Sequence, residues 1–206
     1  MNRLQLIAAV GLSVSALAAA PKEAAMKLND SSRTIEERVK AAEALGASGD
    51  KNAIEGLLRG LDVRNDHLHA AILAALEKLG GAAALYKRAL TTYDPIPSRK
   101  LALAGVRAMK PKDAGTALVG LLSAPEPEIR AETALMLAVV GAKDAKAALI
   151  KALDDESKDV RYYAAEALVA AGGEDSLAAV KARAAKETDL VVKDALSQAV
   201  RRLTPK

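Results

Sequence analysis

The chain has 206 residues, with 30 Lys or Arg against 26 Asp or Glu and a formal net charge of +4. Hydrophobic residues at 51% and charged residues at 27% exclude a wholly disordered chain, and so mild a basic bias is no argument for nucleic acid. Aromatics are 2%, with no Phe and no Trp, so any core is built from Ala, Leu and Val; with no Cys, it is built without disulfides.

Residues 1–20, MNRLQLIAAVGLSVSALAAA, are laid out as a secretory signal peptide. Arg3 gives a positive start, Leu4 to Leu17 is an apolar run, and Ala16, Ala18, Ala19 and Ala20 are small. The run is short for a membrane-spanning helix, which needs about 20 apolar residues. Cleavage after Ala20 places Pro21 directly behind the cut and cleavage after Ala18 avoids this, so the mature chain is expected to begin near Ala19 or Pro21. Without cysteine the lipoprotein route is closed. The expectation is therefore an exported protein, periplasmic or secreted, with no transmembrane helix in the mature chain. Residues 21–33 are read as a short linker, and 34–206 as one domain.

That domain repeats itself. Aligning Arg130 with Arg161 brings Ala134 onto Ala165, Leu137 onto Leu168, Gly141 onto Gly172 and Asp144 onto Asp175, a period of about 31 residues. One period earlier Arg99, Leu103, Val106, Asp113 and Leu118 take the same places. Arg38, Leu45, Gly49, Asn52, Leu57 and Asp62 match Arg130, Leu137, Gly141, Asp144, Leu149 and Asp154 three periods back. A divergent unit lies between, with His69, Leu76 and Gly80 in the corresponding places, and VVKDALSQAVRRL at the end matches half a unit. The sum is five repeats and a terminal half-repeat.

Each repeat reads as two helices. Ile129, Thr133, Ala134, Leu137 and Val140 recur at helical spacing in the first. Gly141 or Gly172 stops it, and Asp113, Asp144 or Asp175 is expected to cap the second, about ten residues long. The segments YDPIPSRK and SAPEPEIR suit connections, since proline opens helices well. One hairpin cannot bury its own apolar face, whereas stacked hairpins can. The predicted fold is thus all-α, a right-handed α-solenoid of stacked helical hairpins.

The stretches DVRYYAAEALVAAGGEDSLAAVKA, EIRAETALMLAVVGAKDAKAALIKALDD and EERVKAAEALGASGDKNAIEGLLRGLD resemble HEAT repeats, in particular the short HEAT-like repeats of phycobilin lyases. The resemblance spans about residues 30–203. It implies a scaffold that binds other proteins, and it is far more specific for fold than for function.

Candidate functional residues fall into three groups. Arg38, Arg99, Arg130 and Arg161 recur as a ladder, with Lys193 in the half-repeat. They are read as structural, bonding carbonyls or carboxylates of the preceding turn such as Asp62 or Asp154, rather than as an anion site. His67 and His69 point to different faces of a helix, and no third ligand accompanies them. Asp154–Asp159, DDESKD, lacks the glycine and alternating ligands of a calcium loop and is read as a turn. No metal, cofactor or catalytic constellation is expected.

The third group comprises positions that do not repeat. Tyr162 and Tyr163 are half of the aromatic residues, and tyrosine suits binding hot spots. Lys181, Arg183, Lys186, Arg201 and Arg202, with Lys193 and Lys206, form a basic group that would suit an acidic partner or anionic lipid. The expectation is a non-catalytic scaffold binding a protein through the face formed by the second helices, with the tyrosines and basic residues in contact. A lyase-like enzyme subunit and an anion- or nucleic-acid-binding solenoid are the alternatives. A second possible surface is His67, Tyr86, Lys87 and Arg88. The partner's identity and the oligomeric state are not readable.

Overall fold

A computed structural model describes residues 14–141 and 143–205, with the side chains of residues 14–20 and Lys143 left aside. The charged start and most of the apolar run read as a signal, residues 1–13, lie outside the described residues. The described chain is all-helical. Its helices are α1 (Val14–Asn29), α2 (Ile35–Ser48), α3 (Ala53–Gly60), α4 (Asp66–Leu79), α5 (Ala82–Leu90), α6 (Ile96–Met109), α7 (Ala114–Leu118), α8 (Pro127–Val140), α9 (Lys146–Ala152), α10 (Lys158–Ala171), α11 (Glu174–Ala184) and α12 (Leu190–Leu203). Contacts divide the chain into one unit through Ala84 and a second from Leu85.

In the first unit, α2 packs on α4, and α1 packs on α2 and α3. Leu28, Leu45, Leu57, Leu68, Ile72 and Leu76 are fully buried. Residues 21–33, expected as a linker, are instead helical as far as Asn29. The cause is Leu28, whose side chain the hairpin buries and whose carbonyl accepts a hydrogen bond from Arg38 Nε at 2.7 Å. Asn29 Nδ2 adds a bond to the Gly56 carbonyl at 3.0 Å. α2 starts at a capping box in which Thr34 and Glu37 bond each other's backbone N–H.

In the second unit the first helices of successive repeats, α6, α8, α10 and α12, pack in series. The second helices α9 and α11 pack on the helices that follow them. Pro127 opens α8, and Gly141 ends it in the left-handed conformation at φ 70°, as the repeat pattern predicts. Ala134, Ala164, Ala165 and Ala199 have no exposed surface. These small side chains let helices approach closely, which explains how a core without Phe or Trp is filled. The second helix of the third repeat is shorter than expected: α7 gives way to a 3-10 turn over Val119–Ser123.

Candidate functional site

The recurring arginines of the second unit are clamps between turns. Arg99, 1% exposed, donates from Nε to the Ala89 carbonyl at 3.0 Å and pairs with Glu126 at 3.1 Å. Arg130 donates to both oxygens of Asp155, at 2.7 and 2.9 Å, and from NH1 to the Ala124 and Pro125 carbonyls. Arg161 repeats this with Glu187, at 2.8 and 3.1 Å, and with the Asp155 and Glu156 carbonyls. In Arg130 and Arg161 the planar fork reaches one turn through Nη1 and a later carboxylate through Nε and Nη2, while Arg99 reaches the turn through Nε and Glu126 through Nη1, a span an ammonium could not make. The carbonyl half of this arrangement was legible in the sequence. The carboxylates are others than those expected: Arg161 bonds the Asp155 carbonyl rather than Asp154, whose carboxylate pairs with Arg183 at 3.2 Å. In the first unit His69 holds the arginine's place, its Nε2 3.1 Å from the Leu61 carbonyl.

Glu187 is the most heavily bonded carboxylate of the second unit. Its side chain is buried and accepts from Arg161, from Arg183 at 2.8 Å, and from the Thr188 and Asp189 backbone N–H groups. The Arg161 hydrogen bonds, reinforced by Arg183, hold its carboxyl far below the usual glutamate range despite burial.

Asp113, Asp144 and Asp175 do not cap the second helices as expected. Asp113 and the helix it precedes show no side-chain cap, and Asp175 lies within the first turn of α11. Each instead meets the preceding repeat: Asp113 accepts from Tyr86 Oη at 2.7 Å, Asp144 from Thr116 Oγ1 at 3.4 Å, and Asp175 forms an ion pair with Lys146 Nζ at 3.9 Å. The periodic aspartates are ties between repeats, a role that a 31-residue spacing cannot distinguish from capping.

The proposed contact residues separate into two sets. Tyr162 and Tyr163 are half-buried on α10, their rings edge to face at 5.2 Å. A groove of about 350 Å³ runs between α10 and α12, lined by Tyr162, Glu166, Leu190, Val191, Asp194 and Gln198 among others. A second hollow of about 290 Å³ shares Tyr162 and Val191 and adds Lys158, Asp159, Tyr163 and Asp189. Neither is lined by Lys181, Arg183 or Lys186. Lys181, Lys186 and Arg201 are exposed, whereas Arg183 is tied to Glu187 and Asp154, and Arg202 to Glu166 at 3.0 Å. The basic group is therefore not one surface: Arg202 reaches the rim of the tyrosine groove through Glu166, Arg183 is tied to the buried Glu187, and Lys181 and Lys186 line neither hollow. The groove lies between first helices, not on the face of second helices. Of the other candidate surface, His67 is exposed, while Tyr86 is buried against Asp113.

Leu190 and Val191 are the residues that sequence reasoning missed. They are 81% and 64% exposed, at the start of α12. The signal was present: at the half-repeat's spacing of 32 they fall on Lys158 and Asp159, and one period earlier on Pro127 and Glu128. Where other repeats place charged or turn-forming residues in a first turn, this one places two large aliphatics. Asp189 fixes that turn by accepting from the Val191 and Val192 N–H groups at 3.0 and 3.1 Å.

Among the described residues, no group of three or more His, Cys, Asp or Glu is arranged to hold a metal, and no single helix is long and apolar enough to cross a membrane.

Residues 115–201 match the family HEAT repeats, and residues 37–62 match the PBS lyase HEAT-like repeat. No curated protein matches the sequence. Similar solved structures include a designed armadillo repeat protein in complex with the peptide (KR)4, 18% identical, covering 89% of this chain and 99% of that one with a TM-score of 0.55. Human deoxyhypusine hydroxylase is 24% identical over 93% of this chain and 74% of its own, with a TM-score of 0.53. An engineered protein is 22% identical over 89% and 96% respectively, with a TM-score of 0.51. At these identities the likeness shows the fold alone, that of stacked helical repeats. Residues 37–62 and 115–201 of this chain are thus HEAT-type repeats.

Proposed function

We propose that the protein is an exported, non-catalytic scaffold that binds another protein through the groove between α10 and α12. The observation that carries this reading is the exposure of Leu190 and Val191 beside Tyr162. Apolar surface left in water costs about 25 cal/mol per Å², and an apolar patch rimmed by polar groups marks an interaction site. The non-catalytic part of the proposal is supported by how the repeated polar residues are spent. Arg99, Arg130 and Arg161 bond the carboxylates of Glu126, Asp155 and Glu187 and the backbone, and Asp113 and Asp144 accept from Tyr86 and Thr116. Export is supported by the layout of residues 1–20. With few aromatic anchors the affinity is expected in the micromolar range, about −8 kcal/mol.

The test is a crosslinking pull-down from the native envelope fraction with the mature chain as bait. Leu190→Ser with Val191→Ser should remove a partner that the parent captures, at unchanged helical circular dichroism. Capture of the same partners by both proteins would move the surface elsewhere. N-terminal sequencing checks export: a start near Ala19 or Pro21 is expected, and an intact Met1 on a membrane-bound protein would contradict it.

A further inference from the structure

We propose that the α10–α12 groove takes a partner segment in which large apolar side chains stand next to Lys or Arg; this rests on the groove being the partner-binding surface. The floor is apolar and aromatic, from Tyr162, Leu190 and Val191. Four carboxylates surround it, Asp159, Glu166, Asp189 and Asp194, and they do not share one fate. Glu166 is matched by Arg202 at 3.0 Å. Asp189 caps α12 and faces Lys158 at 3.9 Å. Asp194 holds only the Gln198 amide, at 2.7 Å on one oxygen, and Asp159 has no ion-pair partner among the described residues.

Asp194 thus lines the groove and Asp159 the adjoining hollow, and the two share the exposed Val191 and the half-buried Tyr162. The exposed Lys181 and Lys186 line neither hollow, and Lys158, which lines the second, faces Asp189. A partner's Leu or Met fills the apolar floor while its Lys or Arg meets Asp159 or Asp194; an Arg also meets the face of a tyrosine ring. An acidic segment would bring like charge against both unmatched carboxylates. This reverses the polarity expected from the basic C-terminal composition.

Fluorescence anisotropy with labelled peptides tests the inference on the full mature chain. The probes are an amphipathic Leu/Arg peptide, its Leu/Glu counterpart and a Ser/Arg peptide of equal charge. The Leu/Arg peptide should bind, and the other two should bind at least about fivefold more weakly. Asp159→Asn with Asp194→Asn, and separately Leu190→Ser with Val191→Ser, should each weaken the Leu/Arg complex about fivefold or more. Both pairs are exposed, so retained circular dichroism is expected. If the Leu/Arg peptide does not bind, or binds the Asp159→Asn, Asp194→Asn variant as well as the parent, the inference is overturned. Binding of the Leu/Glu peptide that is lost in the Leu190→Ser, Val191→Ser variant would overturn the cationic partner while keeping the groove as a protein-binding surface. Peptide binding indifferent to both variants would overturn both readings.

Discussion

The two units hold the same repeat together by different means. In the first, helices meet where side chains are missing. A Cβ at Gly46 of α2 would lie 2.8 Å from the Ala75 Cα of α4, and one at Gly60 would lie 2.8 Å from Ile72 Cδ1. In the second, arginine forks span the turns: Arg99 to Glu126, Arg130 to Asp155 and Arg161 to Glu187. Arg38 aligns with Arg130, yet where Asp155 follows Arg130 by 25 residues the first unit has Val63, Arg64 and Asn65. Arg38 bonds the Leu28 carbonyl. A shared repeat position therefore guarantees the backbone half of a clamp, while the carboxylate half depends on residues that do not repeat.

The sharpest break of this comparison is Glu187→Ala. It leaves Arg161 and Arg183 without their shared carboxylate in a buried setting, so a loss of about 3–5 kcal/mol is expected in chemical or thermal unfolding. Arg130→Ala follows at about 2–3 kcal/mol, because Asp155 keeps the Ser157 N–H as a partner. If Arg130→Ala leaves stability unchanged but abolishes partner binding, the ladder is a functional site. In the first unit Gly46→Ala should cost about 1–3 kcal/mol by forcing α2 from α4, although it adds a single methyl.

Acid sharpens the contrast. Arg161 and Arg183 depress the Glu187 pKa, so the stability it contributes is present above the ordinary glutamate value, about 4.3, and is lost as pH falls below it. The difference in unfolding free energy between the parent and Glu187→Gln should therefore narrow below about pH 4. A constant gap would contradict the assignment.

The smallest effect is a gain. Lys110 occupies the left-handed position, φ 49°, that glycine holds at Gly141, and Lys110→Gly should stabilise by about 0.5–1 kcal/mol.

What was legible in the sequence follows the same division. Helix pairs, their glycine stops and the arginine ladder repeat, so a single chain displays them several times over. Glu126, Asp155 and Glu187 stand 25 to 27 residues after their arginines, a separation that only the stacking of one turn on another makes meaningful. Asp113, Asp144 and Asp175 did repeat and were still misread, because capping and a tie to the preceding repeat demand the same residue type near a helix start. Leu190 and Val191 were legible only by alignment: they stand where the preceding repeats place Lys158, Asp159, Pro127 and Glu128, and the structure leaves them exposed as it does those residues.

The central claim, that the α10–α12 groove is where this scaffold meets its partner, is tested most directly by site-specific photo-crosslinking in the native compartment. A photoreactive residue is placed at Val191 in one protein and at Val139, an exposed aliphatic at 42% on α8, in another. The account predicts a discrete protein adduct from position 191 and none from position 139. Adducts of equal yield from both positions, or from position 139 alone, would contradict it.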